Sequence, residues 1–212
     1  HPDLDEALVA AAFAEEAVAM EPRPWRKYDT LLNRNRGLYG RLFDSGPPNL
    51  NKVLRWSRFA DWLTGTEGPP PVCRLAGDIL APAATVDGPV VVIQPFSAVK
   101  QKQSPPALYR RIIESLPPGT RGGMAGAERD LEVNGDYRPL LEMPGVEFDS
   151  SGFADLVALL RAAKLVISVD TALMHLAVAV GAPTLCLASA AYVGEIVPYD
   201  PVLTPDNARF VY

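Results

Sequence analysis

The sequence predicts an α/β protein whose larger part, residues 88–212, is a parallel sheet flanked by helices. Three observations predict it. Short apolar runs, "PVVVIQPFS", "LVISV" and "PTLCLAS", have the length and β-branched content of strands buried on both faces. Segments of helical period lie between them. Gly181 and Pro183 close the last of those segments, as expected at a helix C-terminus. Strands alternating with helices assemble as a parallel sheet with helices on its faces, a Rossmann-type domain. Residues 1–87 read differently, as a mainly helical, incomplete or atypical N-terminal domain.

Taken in order, residues 3–20 are rich in Ala, Glu and Leu and predict a helix, stopped by Pro22 and Pro24. "YDTLLNRNRGLYGRLF" predicts a short strand, a turn and a helix, with local positive charge at Arg34, Arg36 and Arg41. "NLNKVLRWSRFADWL" has helical period, and its face of Val53, Leu54, Trp56, Phe59, Ala60 and Leu63 reads as core. "TGTEGPPP" breaks that helix, and a looser region runs to Asp87-Gly88-Pro89. Further helices are predicted over "SPPALYRRIIESL", with proline near its start, over "GFADLVALLRAAK" and over "TALMHLAVAV". Alternation demands a strand between Leu116 and Glu128, but "PPGTRGGMAG" is poor strand material, which predicts a distorted edge or a loop.

Composition narrows the function. At 48% hydrophobic and 21% charged, most of the 212 residues can enter an ordinary core. A net charge of −5 argues against a broad nucleic-acid footprint, which needs a basic face. Cys73 and Cys186 lack metal-type spacing and read as reduced, partly buried thiols of a cytoplasmic protein. No apolar run approaches the ~18 residues of a membrane span. The N-terminal stretch, interrupted by Glu15 and Glu16, does not read as a signal peptide. The chain starts at His1 rather than Met, and residues 1–87 read as the later part of an N-terminal domain or a replacement for one.

In an open parallel sheet, ligands bind beyond the carboxyl ends of the strands. Three loops leave such ends here: 94–104, 123–129 and 169–172. In the third, a helix begins near Thr171, and the unpaired N–H groups of its first turn favour an anion. An N-cap alone accounts for Asp170 or Thr171 but not for His175, one turn further on and able to point back to the same helix end. The first loop offers Ser97 and, five residues later, Lys102, a hydroxyl and a cation suited to a diphosphate. Lys100 and Lys102 together also read as a solvated charge pair. In the second loop Glu128 is placed to accept from a ribose or to stand on the surface.

The order and spacing of these groups carry a resemblance. Ser97, Lys102 and "QSP", then "GAE" at 126–128, then "VDTALMHLAVAVGAPT" resemble the donor-binding C-terminal half of glycosyltransferase family 9, the heptosyltransferases of lipopolysaccharide biosynthesis. The likeness covers about residues 88–200 and rests mainly on Asp170, Thr171, Leu173, Met174, His175 and Leu176. It departs from the family at Ala172, where glycine is usual, and at Ser104, where tryptophan is common. It also lacks, within residues 1–87, the family's opening strand and Gly-Asp loop. The resemblance implies a two-domain, GT-B-like fold and a metal-independent enzyme. It would move a heptose-like sugar from a nucleotide-diphosphate donor to a glycan or lipopolysaccharide acceptor, with no cofactor beyond that donor, for which ADP-heptose is the best-known family example. It implies that Ser97, Lys102, Asp170, Thr171, Ala172 and His175 meet the donor diphosphate or its sugar, and that Lys102 and His175 act in catalysis. Glu128 would face the ribose, and Ser150–Phe153 would line the base. The implied partners are the nucleotide sugar and a glycan or lipid-linked acceptor, either at the inner membrane face or with another subunit. Of the early acids, Asp29 and Asp44 are available as a base, with neither favoured. A non-catalytic or split nucleotide-sugar-binding subunit is the alternative.

Overall fold

The structure, a computed structural model, describes residues 13–21, 36–189 and 193–212. It divides into two compact units, His1–Pro71 with Gly194–Ile196, and Val72–Val193 with Val197–Tyr212.

The second unit is built on six parallel strands. These are β3 (Val90–Gln94), β4 (Arg121–Ala125), β5 (Val146–Asp149), β6 (Leu165–Val169), β7 (Thr184–Leu187) and β8 (Ala208–Val211). Their spatial order is β5-β4-β3-β6-β7-β8, all neighbours parallel. The strand period of two sorts the side chains onto two cores. Val90, Val92 and Val166 face one, and Val91, Ile93 and Ile167 face the other. Helices α4 (Phe153–Ala162) and α5 (Ala172–Ala179) cover the first face through Leu156, Leu160, Leu173 and Ala177. Helix α2 (Pro106–Glu114) and the 3-10 helix Gly135–Leu140 cover the second through Tyr109, Tyr137 and Leu140. Burial on both faces is why these strands read as unbroken apolar runs. Helix α3 (Glu128–Val133) follows β4. Gly181, at φ 84, ends α5 in the left-handed region, as its position in the sequence predicts.

The glycine-rich segment after Leu116 corrects the expectation of a loop or distorted edge. It forms β4, an interior strand paired with β3 on one side and β5 on the other. Glycine in a strand costs roughly 0.5–1 kcal/mol relative to alanine. Two complete ladders and the burial of Met124 and Ala125, each 1% exposed, outweigh it.

The boundary between units also falls earlier than the expected 87/88. Residues 72–87 lie with the sheet because Leu75 N–H donates to Ala179 O at 2.7 Å and Ala84 N–H to Ala158 O at 2.8 Å. Arg161 clamps the carbonyls of Leu80 and Ala81, while Leu80 and Val86 pack on the first core.

The first unit is less helical than its composition suggests. Of the predicted helix over 3–20, residues 3–12 lie outside the described residues, and Val18–Met20 is a strand, β1. The segment predicted to end in a helix ends instead in a 3-10 turn, Arg36–Leu38, and a strand, β2 (Arg41–Phe43), parallel to β1. Its earlier part, with Asp29 and Arg34, lies outside the described residues. Strand pairing recruits backbone groups that no short-range sequence pattern announces. The local positive charge at Arg36 and Arg41 is partly matched by Glu21 at 3.0 Å and Glu16 at 4.0 Å.

Helix α1 (Lys52–Thr64) forms where the period places it, opened by Asn51, whose side chain accepts from Val53 N–H at 2.9 Å, and closed by Gly65 at φ 69. Its buried face matches the predicted one only in part: Leu54 is buried and Val53 and Phe59 are half-buried. Leu54 and Arg55 are buried, whereas Trp56 is 62% and Leu63 50% exposed. Arg55 enters because the Ser45–Leu50 loop supplies acceptors: Ser45 Oγ at 3.0 Å and the carbonyls of Pro47, Pro48 and Leu50 at 2.9–3.3 Å. A guanidinium so satisfied can be buried where an aliphatic chain would leave those carbonyls unpaired.

Candidate functional site

Numbered from β3, the six-strand order is 3-2-1-4-5-6, which puts the reversal of winding between β3 and β6. Loops diverge there and leave a crevice at the strand ends. The loop after β3 carries Ser97, Lys100 and Lys102, and the turn after β6 carries Asp170 and Thr171 into α5. Two sequence-distant loops meet at the switch point for this reason.

The central contact joins Lys102 Nζ to Asp170 Oδ2, across 68 residues of chain. Asp170 is only 4% exposed, and its other oxygen, Oδ1, lies 3.4 Å from His175 Nε2. Burial alone would push the Asp170 carboxyl up. The hydrogen bonds and charges of His175 and Lys102 overcome that and hold it below the usual carboxylate range. His175 reaches back one helical turn to Asp170, as its position predicts. Its other nitrogen, Nδ1, lies 2.6 Å from Tyr199 Oη, and the two rings stack at 5.6 Å with 8° between planes.

Thr171 occupies the N-cap position of α5, but its side chain makes no capping bond. Its hydroxyl donates instead to Gln94 Oε1 at 3.0 Å, as does Ser168 Oγ at 3.1 Å. An ordinary N-cap role therefore does not explain this threonine. The start of α5, with no capping bond from the Thr171 side chain, lines the cavity described below, where first-turn N–H groups favour an anion.

Ser97 is half-buried. Its hydroxyl accepts from Val99 N–H at 3.2 Å and its carbonyl from Gln103 Nε2 at 2.8 Å, which fixes the loop leading to Lys102. Lys100, which with Lys102 read as a solvated charge pair, bonds Asn134 Oδ1, so neither lysine is merely solvated. The carbonyl of Ser104 accepts from Tyr137 Oη at 2.5 Å.

Next to this cluster a cavity of about 290 Å³ lies along the ends of β3, β4, β5 and β6. Its lining includes Gln94, Gly126, Ser150, Phe153, Thr171 and Ala172. The Ser150–Phe153 segment and Ala172 are thus at the cavity, whereas Glu128 is exposed at the first position of α3 and is not among its lining residues. The acid of that helix that does line it is Asp130, whose Oδ2 accepts from Ala127 N–H at 2.8 Å. Gly126 is needed at this spot because a Cβ would lie 2.6 Å from the buried Phe96 ring.

The structure therefore brings Lys102, Asp170 and His175 into one bonded group, ties the Thr171 hydroxyl beside it to Gln94, places Ser97 at the start of the Lys102 loop, and leaves Glu128 outside. Sequence reasoning missed Gln94 and Tyr199. A glutamine ending an otherwise apolar strand was a usable signal for the first; nothing local marked the second. Asp44, in the first unit, is exposed and accepts from Gly46 N–H at 2.9 Å.

Six parallel strands wound in this order, with a crevice at the switch point, define a doubly wound α/β protein. The family comparison is more specific: the model for glycosyltransferase family 9 (heptosyltransferase) matches residues 47–204, and the chain belongs to that family. No curated protein matches the chain. Solved structures share its fold. A glycosyltransferase family 9 protein from Veillonella parvula is 16% identical with a TM-score of 0.66, covering 99% of this chain and 66% of that one. E. coli heptosyltransferase WaaC with ADP-2-deoxy-2-fluoro heptose is 20% identical with a TM-score of 0.64, covering 100% and 71%. E. coli ADP-heptose lps heptosyltransferase II is 17% identical with a TM-score of 0.60, covering 96% and 65%. Among the described residues no helix is long and apolar enough to cross a membrane.

Proposed function

We propose that this chain binds a nucleoside-diphosphate sugar at the β3/β6 switch point and takes part in transferring the sugar to a glycan hydroxyl. One observation carries the reading: Lys102, Asp170 and His175 form a bonded group at the N-terminus of α5, beside a cavity of about 290 Å³. In transfer, the bond between the sugar's anomeric carbon and the diphosphate oxygen breaks, and the acceptor oxygen bonds that carbon. The acceptor's proton passes to a base, and the nucleoside diphosphate leaves with the bonding electron pair. Lys102 and the first-turn N–H groups of α5 would stabilise the charge that grows on the leaving diphosphate. Such prearranged electrostatics is often the largest single contribution to catalysis. No metal is required in this scheme.

The cavity beside Ser150–Phe153 would take the nucleoside, and Ser97 and Ala172 would lie along the diphosphate. A heptose-type donor with an adenine base is the first candidate, because solved relatives carry ADP or an ADP-heptose analogue. A lipopolysaccharide-type acceptor, reached at a membrane face, is the acceptor proposed with it. Incubation with ADP-heptose and other nucleotide sugars, following binding and release of nucleoside diphosphate, tests the proposal. Binding followed by acceptor-dependent release is expected. Binding without release under any acceptor would leave a nucleotide-sugar-binding subunit, and no binding at all would sink the site assignment.

A further inference from the structure

Tyr199 stands outside every motif in the sequence, yet it both stacks on His175 and meets its Nδ1. Its side chain is 7% exposed, wedged between His175 on one face, at 5.6 Å, and Phe210 at 5.1 Å. Its hydroxyl has one described side-chain partner, His175 Nδ1, at 2.6 Å.

The protonation of this pair follows from its surroundings. Asp170 is held ionised, so the ring nitrogen facing it, Nε2, must be the one that carries hydrogen. Burial pushes the Tyr199 phenol well above its ordinary range, so the hydroxyl keeps its proton and has it to give. When the ring carries that single hydrogen, Nδ1 is its acceptor, and Tyr199 Oη is the donor that meets it. We infer that Tyr199 is a positioning residue for the donor site: its hydroxyl holds His175 as the Nε2–H tautomer, aimed at Asp170 Oδ1. The other oxygen of Asp170 holds Lys102, so the register of Lys102 depends on Tyr199 through two intermediates. Orienting a functional histidine through its second nitrogen is the usual way a tautomer is fixed.

The effect on affinity rests on the donor-site reading; the tautomer assignment does not. Tyr199→Phe removes the hydroxyl and keeps both ring contacts, so the thermal midpoint should move little. Nitrogen-15 NMR of ligand-free protein reads the tautomer directly, His175→Gln identifying the resonances because His1 is the other histidine. In the wild type, hydrogen is expected on Nε2 and not on Nδ1; in Tyr199→Phe, both tautomers should be populated. Losing one neutral hydrogen bond should weaken ADP binding about fivefold. Hydrogen on Nδ1 in the wild type would overturn the inference without any variant. So would unchanged nitrogen shifts in Tyr199→Phe, or a changed tautomer with unchanged ADP affinity. A wild type that binds no ADP would refute the donor-site reading, while the nitrogen shifts would still decide what Tyr199 does.

Discussion

Replacing Lys102 by methionine tests whether Asp170 is a desolvated carboxylate held by its neighbours. The carboxylate is 4% exposed and the Lys102 side chain 13%, so the anion sits deeper than the cation. Removing one partner of a fully buried pair costs about 3–5 kcal/mol, because the other charge is left without compensation. Here His175 Nε2 remains at 3.4 Å and the site is not wholly dry, which lowers the expected loss for Lys102→Met to about 2–3 kcal/mol. Asp170→Asn is expected to cost only about 1 kcal/mol: the amide keeps an acceptor for His175, and the lysine head stays close to water. In the double variant the buried charge is gone, so its cost should fall below that of Lys102→Met alone, a coupling that additive sites would not show. Urea unfolding of the four proteins, followed by a probe in the sheet unit, measures the cycle. Equal losses in the two single variants, or simple additivity in the double one, would refute the claim that Asp170 is a desolvated carboxylate held by its neighbours.

The same carboxylate predicts an acid dependence. Its folded pKa is depressed, so its contribution is present above the unfolded value of about 3.9 and is lost as pH falls through the folded value. The thermal-midpoint gap between wild type and Asp170→Asn should therefore narrow below about pH 4, and a gap that is flat with pH would contradict it. Gly126→Ala places a methyl 2.6 Å from Phe96 Cδ2 and 3.2 Å from Asp130 Oδ2, in a spot where the Phe96 ring is 1% exposed. Overpacking of this kind costs about 1–3 kcal/mol, and because Gly126 lines the cavity, ADP affinity should fall with it.

The sheet unit was legible wherever the determinants were local. Strands at 90–94, 165–169 and 184–187 announce themselves by unbroken apolar runs, the helices over 106–114, 153–162 and 172–179 by their period, and Gly181 by the left-handed turn it makes. Asp170, Thr171 and His175 were legible for the same reason, lying within six residues of one strand-turn-helix. What failed was non-local. Glycine-rich β4 is a strand only because β3 and β5 pair with both its edges. Strands β1, β2, β5 and β8 are short, three or four residues each, and carry too few side chains to show a period. Trp56 and Leu63 follow the helical stripe correctly yet point outward, because Arg55 found four acceptors in its own preceding loop.

The amino-acid sequence by itself determined an alternating α/β chain, the family it resembles, and a helix start marked by an acid, a hydroxyl and a histidine. Only the tertiary structure decided what those groups do to one another. It set Lys102 against Asp170 across 68 residues, gave the Thr171 hydroxyl to Gln94 across 77, and brought Tyr199 to the far nitrogen of His175. The physical reason is the winding of the sheet. Contacts within a turn of helix or strand follow from local spacing, whereas contacts at a switch point depend on which strands become neighbours, and that is settled only when the whole core packs.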